Sequence, residues 1–108
     1  MSKTAVISGA SSGLGYGIAR ILCTKYDCRV VGLARRREKL DAVRSELGES
    51  FVPFVCDVTK DEDRARLMDF ITENGYTLDI LINNAGIKLI EMNRTVEGLD
   101  HQAKVGFK

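Results

Sequence analysis

No apolar run in this chain approaches the roughly 20 residues needed to cross a membrane. The N-terminal run Ala5-Val6-Ile7 is too short for the apolar core of a signal peptide, so a cytoplasmic protein is expected. An excess of charge of one sign is missing too. Lys and Arg number 16 against 15 Asp and Glu, for a net charge of +1. No bulk field therefore draws the chain to nucleic acid. Histidine occurs once, at His101, and cysteine three times, at Cys23, Cys28 and Cys56. The cysteines are odd in number and have neither CxxC nor zinc-ligand spacing, so no metal site is expected. They read as reduced thiols packed as small hydrophobes. What is present, 44% hydrophobic and 29% charged residues in a chain of 108, is the profile of one soluble globular domain.

Apolar periodicity alternates between two repeats. Thr4-Ala5-Val6-Ile7 is a short β-prone run that enters a glycine-rich turn. Leu14, Ile18, Ile21 and Leu22 then recur at helical spacing. Arg29 to Leu33 reads as a second strand, and Leu40, Val43 and Leu47 as the apolar stripe of a second helix that Gly48 stops. Phe51 to Cys56 is a third strand. Thr59 and Glu62 have capping-box spacing ahead of a helix with Leu67, Met68 and Ile71 inward and Gly75 at its end. Leu78 to Ile82 is a fourth strand, and the tail from Gly86 is less regular.

Strands that alternate with helices imply an α/β fold with a parallel sheet and right-handed crossovers. Uniformly apolar strands such as Ile80-Leu81-Ile82 imply burial on both faces. Pro53, the single proline, cannot donate to a ladder and so prefers an edge strand. A Rossmann-type doubly wound order 3-2-1-4 puts the third strand at that edge.

Three segments carry chemistry. Gly9-Ala10-Ser11-Ser12-Gly13-Leu14-Gly15 follows the first strand. Glycines there allow a tight turn and close approach to a pyrophosphate, and the next helix offers free N–H groups and partial positive charge. The spacing departs from the literal dinucleotide fingerprint, and the absence of Gly-Lys-Ser/Thr excludes a Walker A loop. An ordinary strand-to-helix turn is the competing reading. About 20 residues further on, where an acidic group would accept a ribose 2′-hydroxyl, the chain reads Ala34-Arg35-Arg36-Arg37. Arginine there can pair with a 2′-phosphate. Arg35 takes that assignment, Arg36 stands between it and a solvated helix start, and Arg37 reads as surface. Asp57-Val58 and Asn83-Asn84-Ala85-Gly86 follow the third and fourth strands, at the carboxyl ends where open α/β sheets bind ligands. Asp57 also fits a turn or cap, and the asparagines fit loop ties.

In this order and spacing the segments resemble the short-chain dehydrogenase/reductase family, over residues 3 to about 105. The resemblance implies that Ser11, Ser12 and Leu14 line the phosphate path and that Asp57 and Val58 contact adenine. It places Asn83 and Ala85 near the adenosine ribose, with Gly86 completing that motif, and makes Arg35 the NADP-selecting arginine. NADP(H) is thus the expected cofactor in preference to NAD(H). An intact member would move hydride between NADPH and a small carbonyl or alcohol substrate.

The family's active site uses a serine and then Tyr-x-x-x-Lys beyond the fourth strand. Tyr16, Tyr26 and Tyr76 have no lysine four residues on, and no serine follows Ser50. Thr95 to Val105 looks like the family's next helix, but position 106 is glycine where a catalytic asparagine is usual, and the likeness breaks at about 106–108. The expectation is a partial domain over 1–108 with its second half missing, cofactor binding without catalysis, and self-association through an exposed fourth strand. The alternatives are a non-catalytic NADPH-binding or regulatory module, or a truncated gene product without activity.

Overall fold

A computed structural model describes residues 3–83. The chain runs β1 (Thr4–Ser8), α1 (Gly13–Lys25), β2 (Arg29–Ala34), α2 (Arg37–Leu47), a 3-10 turn at Gly48–Ser50, β3 (Phe51–Val55), α3 (Asp61–Glu73) and β4 (Leu78–Asn83). All strand pairs are parallel, and the order across the sheet is β3-β2-β1-β4. This is the doubly wound arrangement expected from the sequence. Pro53 lies on the edge strand β3, opposite Gly32, where its missing N–H breaks no inner ladder. Among the described residues no helix is long and apolar enough to cross a membrane.

Two apolar layers flank the sheet, as the continuous hydrophobicity of its strands requires. Ala5, Ile7, Val30 and Phe51 face α1 and α2, where Ala19, Cys23, Leu40 and Val43 meet them. Val6, Val31, Leu33 and Leu81 face α3 through Leu67, Met68 and Ile71. The cysteines are free and buried as small hydrophobes. Gly48 and Gly75 sit at φ of 80° and 67° past the ends of α2 and α3, conformations that cost a side chain energy.

Two expectations fail here. In α1 the buried residues are Gly15, Ala19 and Cys23, while Leu14 and Ile21 are 70% and 46% exposed and Ile18 and Leu22 only partly covered. The face against the sheet is the one with small side chains, rotated from the stripe that large apolar residues mark. Hydrophobic periodicity weights side chains by size, so a helix that packs through Gly, Ala and Cys is misread. The capping box before α3 is also absent. The N-cap is Lys60, without a side-chain cap bond, and the Thr59 hydroxyl donates to Asp57 instead. Asp61, Glu62 and Asp63 compensate the first turn through the helix dipole.

Gly32, in the middle of β2, is required by space. A Cβ there would lie 2.2 Å from Cζ and 2.4 Å from Cε1 of Phe51, whose side chain is fully buried. Gly32→Ala must displace that ring and should cost about 1–3 kcal/mol by overpacking. A thermal melt measures the loss, and adding Phe51→Leu should return most of it; a simple sum of the two single effects would show that ring and Cβ do not meet.

Burial pushes the Cys23 and Cys56 thiols up to about 11. An unfolded chain releases such protons from about 8.5. Their stabilising contribution is therefore complete below that pH and is lost as pH rises towards about 11. At pH 8 iodoacetamide should label the native thiols roughly 100-fold more slowly than those of urea-unfolded chain; equal rates would place the thiols at the surface.

Candidate functional site

The turn that leaves β1 begins with Gly9 at φ 65° and ends with Gly13 at φ 61°. Both are left-handed, and around Gly13 nothing lies within 4 Å of a built Cβ, so its glycine answers to backbone conformation and not to crowding. The turn is held to β2 by the Ala10 N–H, which donates to the Leu33 carbonyl at 3.1 Å. It delivers the chain into α1 with Ser12 as N-cap, without a side-chain cap bond, and with no acid in the first turn. A helix end left in that state presents N–H donors and partial positive charge to an anion.

A cleft of about 540 Å³ opens beside this turn, at the carboxyl ends of β1, β2 and β3. Ser8, Gly9 and Ser11 form one side; Leu33, Ala34, Arg35 and Arg36 continue from β2; Cys56, Asp57, Val58 and Thr59 form the wall beyond β3. Lys39 reaches in from α2. Of the residues singled out in the sequence, Gly9, Ser11, Arg35, Arg36, Asp57 and Val58 meet here. Ser12 instead borders a smaller groove between α1 and α2. Gly13 shapes the turn, Leu14 projects to the exterior, and Gly15 is buried within α1. Asn83 ends β4, where its Oδ1 accepts the Ser8 hydroxyl at 2.9 Å and ties the central strand to its neighbour. Ala85 and Gly86 lie outside the described residues.

The charges around the cleft are unevenly matched. Arg37 pairs with Asp41 across one helical turn at 3.3 Å. Arg35, Arg36 and Lys39 make no ion pair among the described residues. On the far wall, Asp57 Oδ1 accepts the Thr59 hydroxyl at 2.6 Å and the Thr59 N–H at 3.0 Å. Those bonds, with Lys60 and Arg35 nearby, hold its carboxyl below the usual range, so it is an anion at neutral pH. The wall is also held by side chains that do not themselves line the cleft. The Asp57 N–H donates to Asp63 Oδ2 at 2.8 Å, and the buried Arg64 donates from Nη1 to the Val58 carbonyl at 2.6 Å.

Lys39, Thr59, Asp63 and Arg64 were not found as site residues by reading the sequence. Lys39 had a usable signal, because it stands one turn beyond Arg35-Arg36 and helix geometry returns it to the same side. The Asp-x-Thr pattern at Asp57 had one too, as an Asx-turn. The buried Arg64 had none: in sequence it is one more charge on an amphipathic helix.

The chain matches the family described as short chain dehydrogenase across residues 3–105. It is 43% identical over 89 residues to a farnesol dehydrogenase of Aedes aegypti, which covers 79% of this chain and 36% of that protein. A probable NADP-dependent dehydrogenase of Dichelobacter nodosus is 39% identical over 84 residues, 78% of each chain. Among solved structures, a short chain dehydrogenase from Bacillus anthracis superposes with a TM-score of 0.72 at 34% identity, over 77% of this chain and 34% of that one. A 3-ketoacyl-(acyl-carrier-protein) reductase from Brucella melitensis, solved with NADH, gives 0.66 at 28% identity over 87% and 42%. The chain spans about a third of the length of most of these relatives. With that match over nearly all of its residues, and with the sheet order and β1 turn described above, the chain belongs to the short-chain dehydrogenase family.

Proposed function

We propose that the cleft binds the adenosine and pyrophosphate part of a nicotinamide dinucleotide, and that it takes NADPH in preference to NADH. The observation that carries this is the cationic end of the cleft. Arg35, Arg36 and Lys39 line it where β2 ends, and the strand's last residue is Ala34 in place of an acid. An acid at that point accepts ribose hydroxyls; cations favour a 2′-phosphate. The donor set fits the rest of the cofactor as well. The β1 turn and the first turn of α1 suit a pyrophosphate, and the Asp57–Thr59 wall suits the adenosine end.

Bound there, the cofactor would supply a hydride for transfer to a carbonyl group or accept one from an alcohol. The whole protein is on this reading an NADP-dependent oxidoreductase of small carbonyl or alcohol substrates. The residues described hold and orient the dinucleotide, and none is assigned the proton transfer. Tyr16 is unsuited to it, because its hydroxyl donates to Glu46 Oε2 at 2.5 Å and that carboxylate pushes the phenol above its ordinary value. Tyr76 is taken up by Arg29, whose guanidinium lies 4.0 Å over its ring.

Fluorescence titration of the full chain with NADPH and NADH tests the cofactor assignment. NADPH should bind more tightly by about 1–3 kcal/mol, the scale of one charged hydrogen-bonded contact. Arg35→Asp should abolish or invert the preference, and Lys39→Gln should reduce it. Equal affinities in the unmodified chain, or an unchanged ratio in Arg35→Asp, would remove the assignment.

The fourth strand carries a second expectation. Among the described residues β4 pairs with β1 alone, while its Ile80 and Ile82 remain half-buried. An apolar parallel edge that stays unpaired invites pairing with another chain. The 108-residue chain should therefore self-associate. Light scattering on a sizing column should give a mass that grows with loading concentration, and a constant monomer mass would contradict it.

A further inference from the structure

The first turn of α3 has more to do than begin a helix. Within it, two consecutive charged residues hold consecutive residues of the cleft wall. Asp63 takes the N–H of Asp57 at 2.8 Å, and Arg64 gives Nη1 to the carbonyl of Val58 at 2.6 Å. Each holder is itself held. Arg66 pairs with Asp63 at 3.2 Å and donates to the Val55 carbonyl at 3.1 Å, and Arg64 also pairs with Asp61. The chain leaving β3 is thus fixed at residues 55, 57 and 58 by side chains that do not themselves line the cleft.

Packing alone does not explain Arg64. Its side chain is 7% exposed, among neighbours such as Leu67 and Met68 that form an ordinary apolar stripe. Burying a guanidinium there costs desolvation that an aliphatic residue would avoid. What it gains is a fixed carbonyl at Val58. With the Asp57 N–H also fixed, the wall residues have their backbone orientation set, and the Asp57 side chain can close its turn onto Thr59.

We infer that Asp63 and Arg64 are positioning residues that set the adenosine wall of the cleft, an inference that rests on the cleft being a nucleotide site. Neither touches the nucleotide. They act through the backbone of Asp57 and Val58.

The test compares the full chain with Asp63→Ala and Arg64→Met, using 2′,5′-ADP as the adenosine probe and inorganic pyrophosphate as a probe of the β1 turn alone. Both are titrated by NMR well below each variant's melting temperature. A positioning role weakens 2′,5′-ADP by about tenfold or more, leaves pyrophosphate unchanged, and speeds amide exchange at Asp57–Thr59 relative to Ala10–Gly13. A merely structural role moves both probes and both sets of amides together, which overturns the inference. Unmodified chain that fails to bind 2′,5′-ADP removes the nucleotide reading and the positioning role with it. Binding by the unmodified chain that the variants leave intact overturns the positioning role alone. If Arg64→Met does not fold, Asp63→Ala decides, since its side chain is 20% exposed and holds the same segment.

Discussion

Parallel pairing is the constraint on which this structure depends. Two parallel neighbours cannot be joined by a tight turn, so β2, β3 and β4 are each reached through a helical crossover, α1, α2 and α3 in turn. Every strand then runs the same way, and every carboxyl end opens at the same edge of the sheet. The glycine turn, the basic run after Ala34 and the Asp57 segment are dispersed along the sequence, yet they form one cleft because the topology brings them there. Right-handed crossovers place α1 and α2 on one face and α3 on the other, which buries the central β1 completely.

That edge is also where backbone groups leave the ladder and need other partners. The chain provides them in a graded way. The Ala10 N–H finds a carbonyl of β2 and the Cys56 N–H finds that of Ala34, while the Ser8 hydroxyl is taken up by the Asn83 side chain. From Val55 onward, charged side chains of α3 add to the backbone partners, at the Asp57 N–H and the Val55 and Val58 carbonyls. The far wall is accordingly built from ionic and charge-assisted bonds, the stronger kind. The near wall rests on backbone bonds and on the conformations of Gly9 and Gly13.

The fold was legible because its cues are local. β-prone runs, helical spacing and the glycines after α2 and α3 each depend on a few neighbouring residues. Pro53 even fixed the edge strand, since a missing N–H has one comfortable place in a sheet. The misreadings arose where identity depends on packing. The inward face of α1 is defined by Gly15, Ala19 and Cys23, which a hydrophobicity pattern discounts. Thr59 looked like a cap because Glu62 follows at the right distance, but Asp57 competes for the same hydroxyl and has it at 2.6 Å. In the site, turn residues were legible and their supports were not. Gly9, Arg35 and Asp57 are marked by position after a strand, whereas the burial of Arg64 follows only from how α3 lies on the sheet.

The start of α2 breaks a stability rule that the start of α3 obeys. A helix N-terminus favours acids, by about 0.3–1 kcal/mol each at exposed positions. Here Arg36 is the N-cap, Arg37 opens the helix and Lys39 follows, with Glu38 as the one acid of the first turn. Arg37 is balanced by Asp41 further along, so its cost is offset inside the helix. Arg36 and Lys39 have no such ion pair among the described residues, and Arg35 adds a third positive charge beside them. At α3 the same chain obeys the rule with three acids in a row. The difference between the two helices is what lies in front of them. Before α3 stands the anionic Asp57, already bonded within its own turn; before α2 stands the open end of the cleft. Like charges gathered there repel one another and the positive end of the helix dipole. On the reading of the cleft as a dinucleotide site, a phosphate there would add an attraction to each cation and to the helix end, and so offset that repulsion.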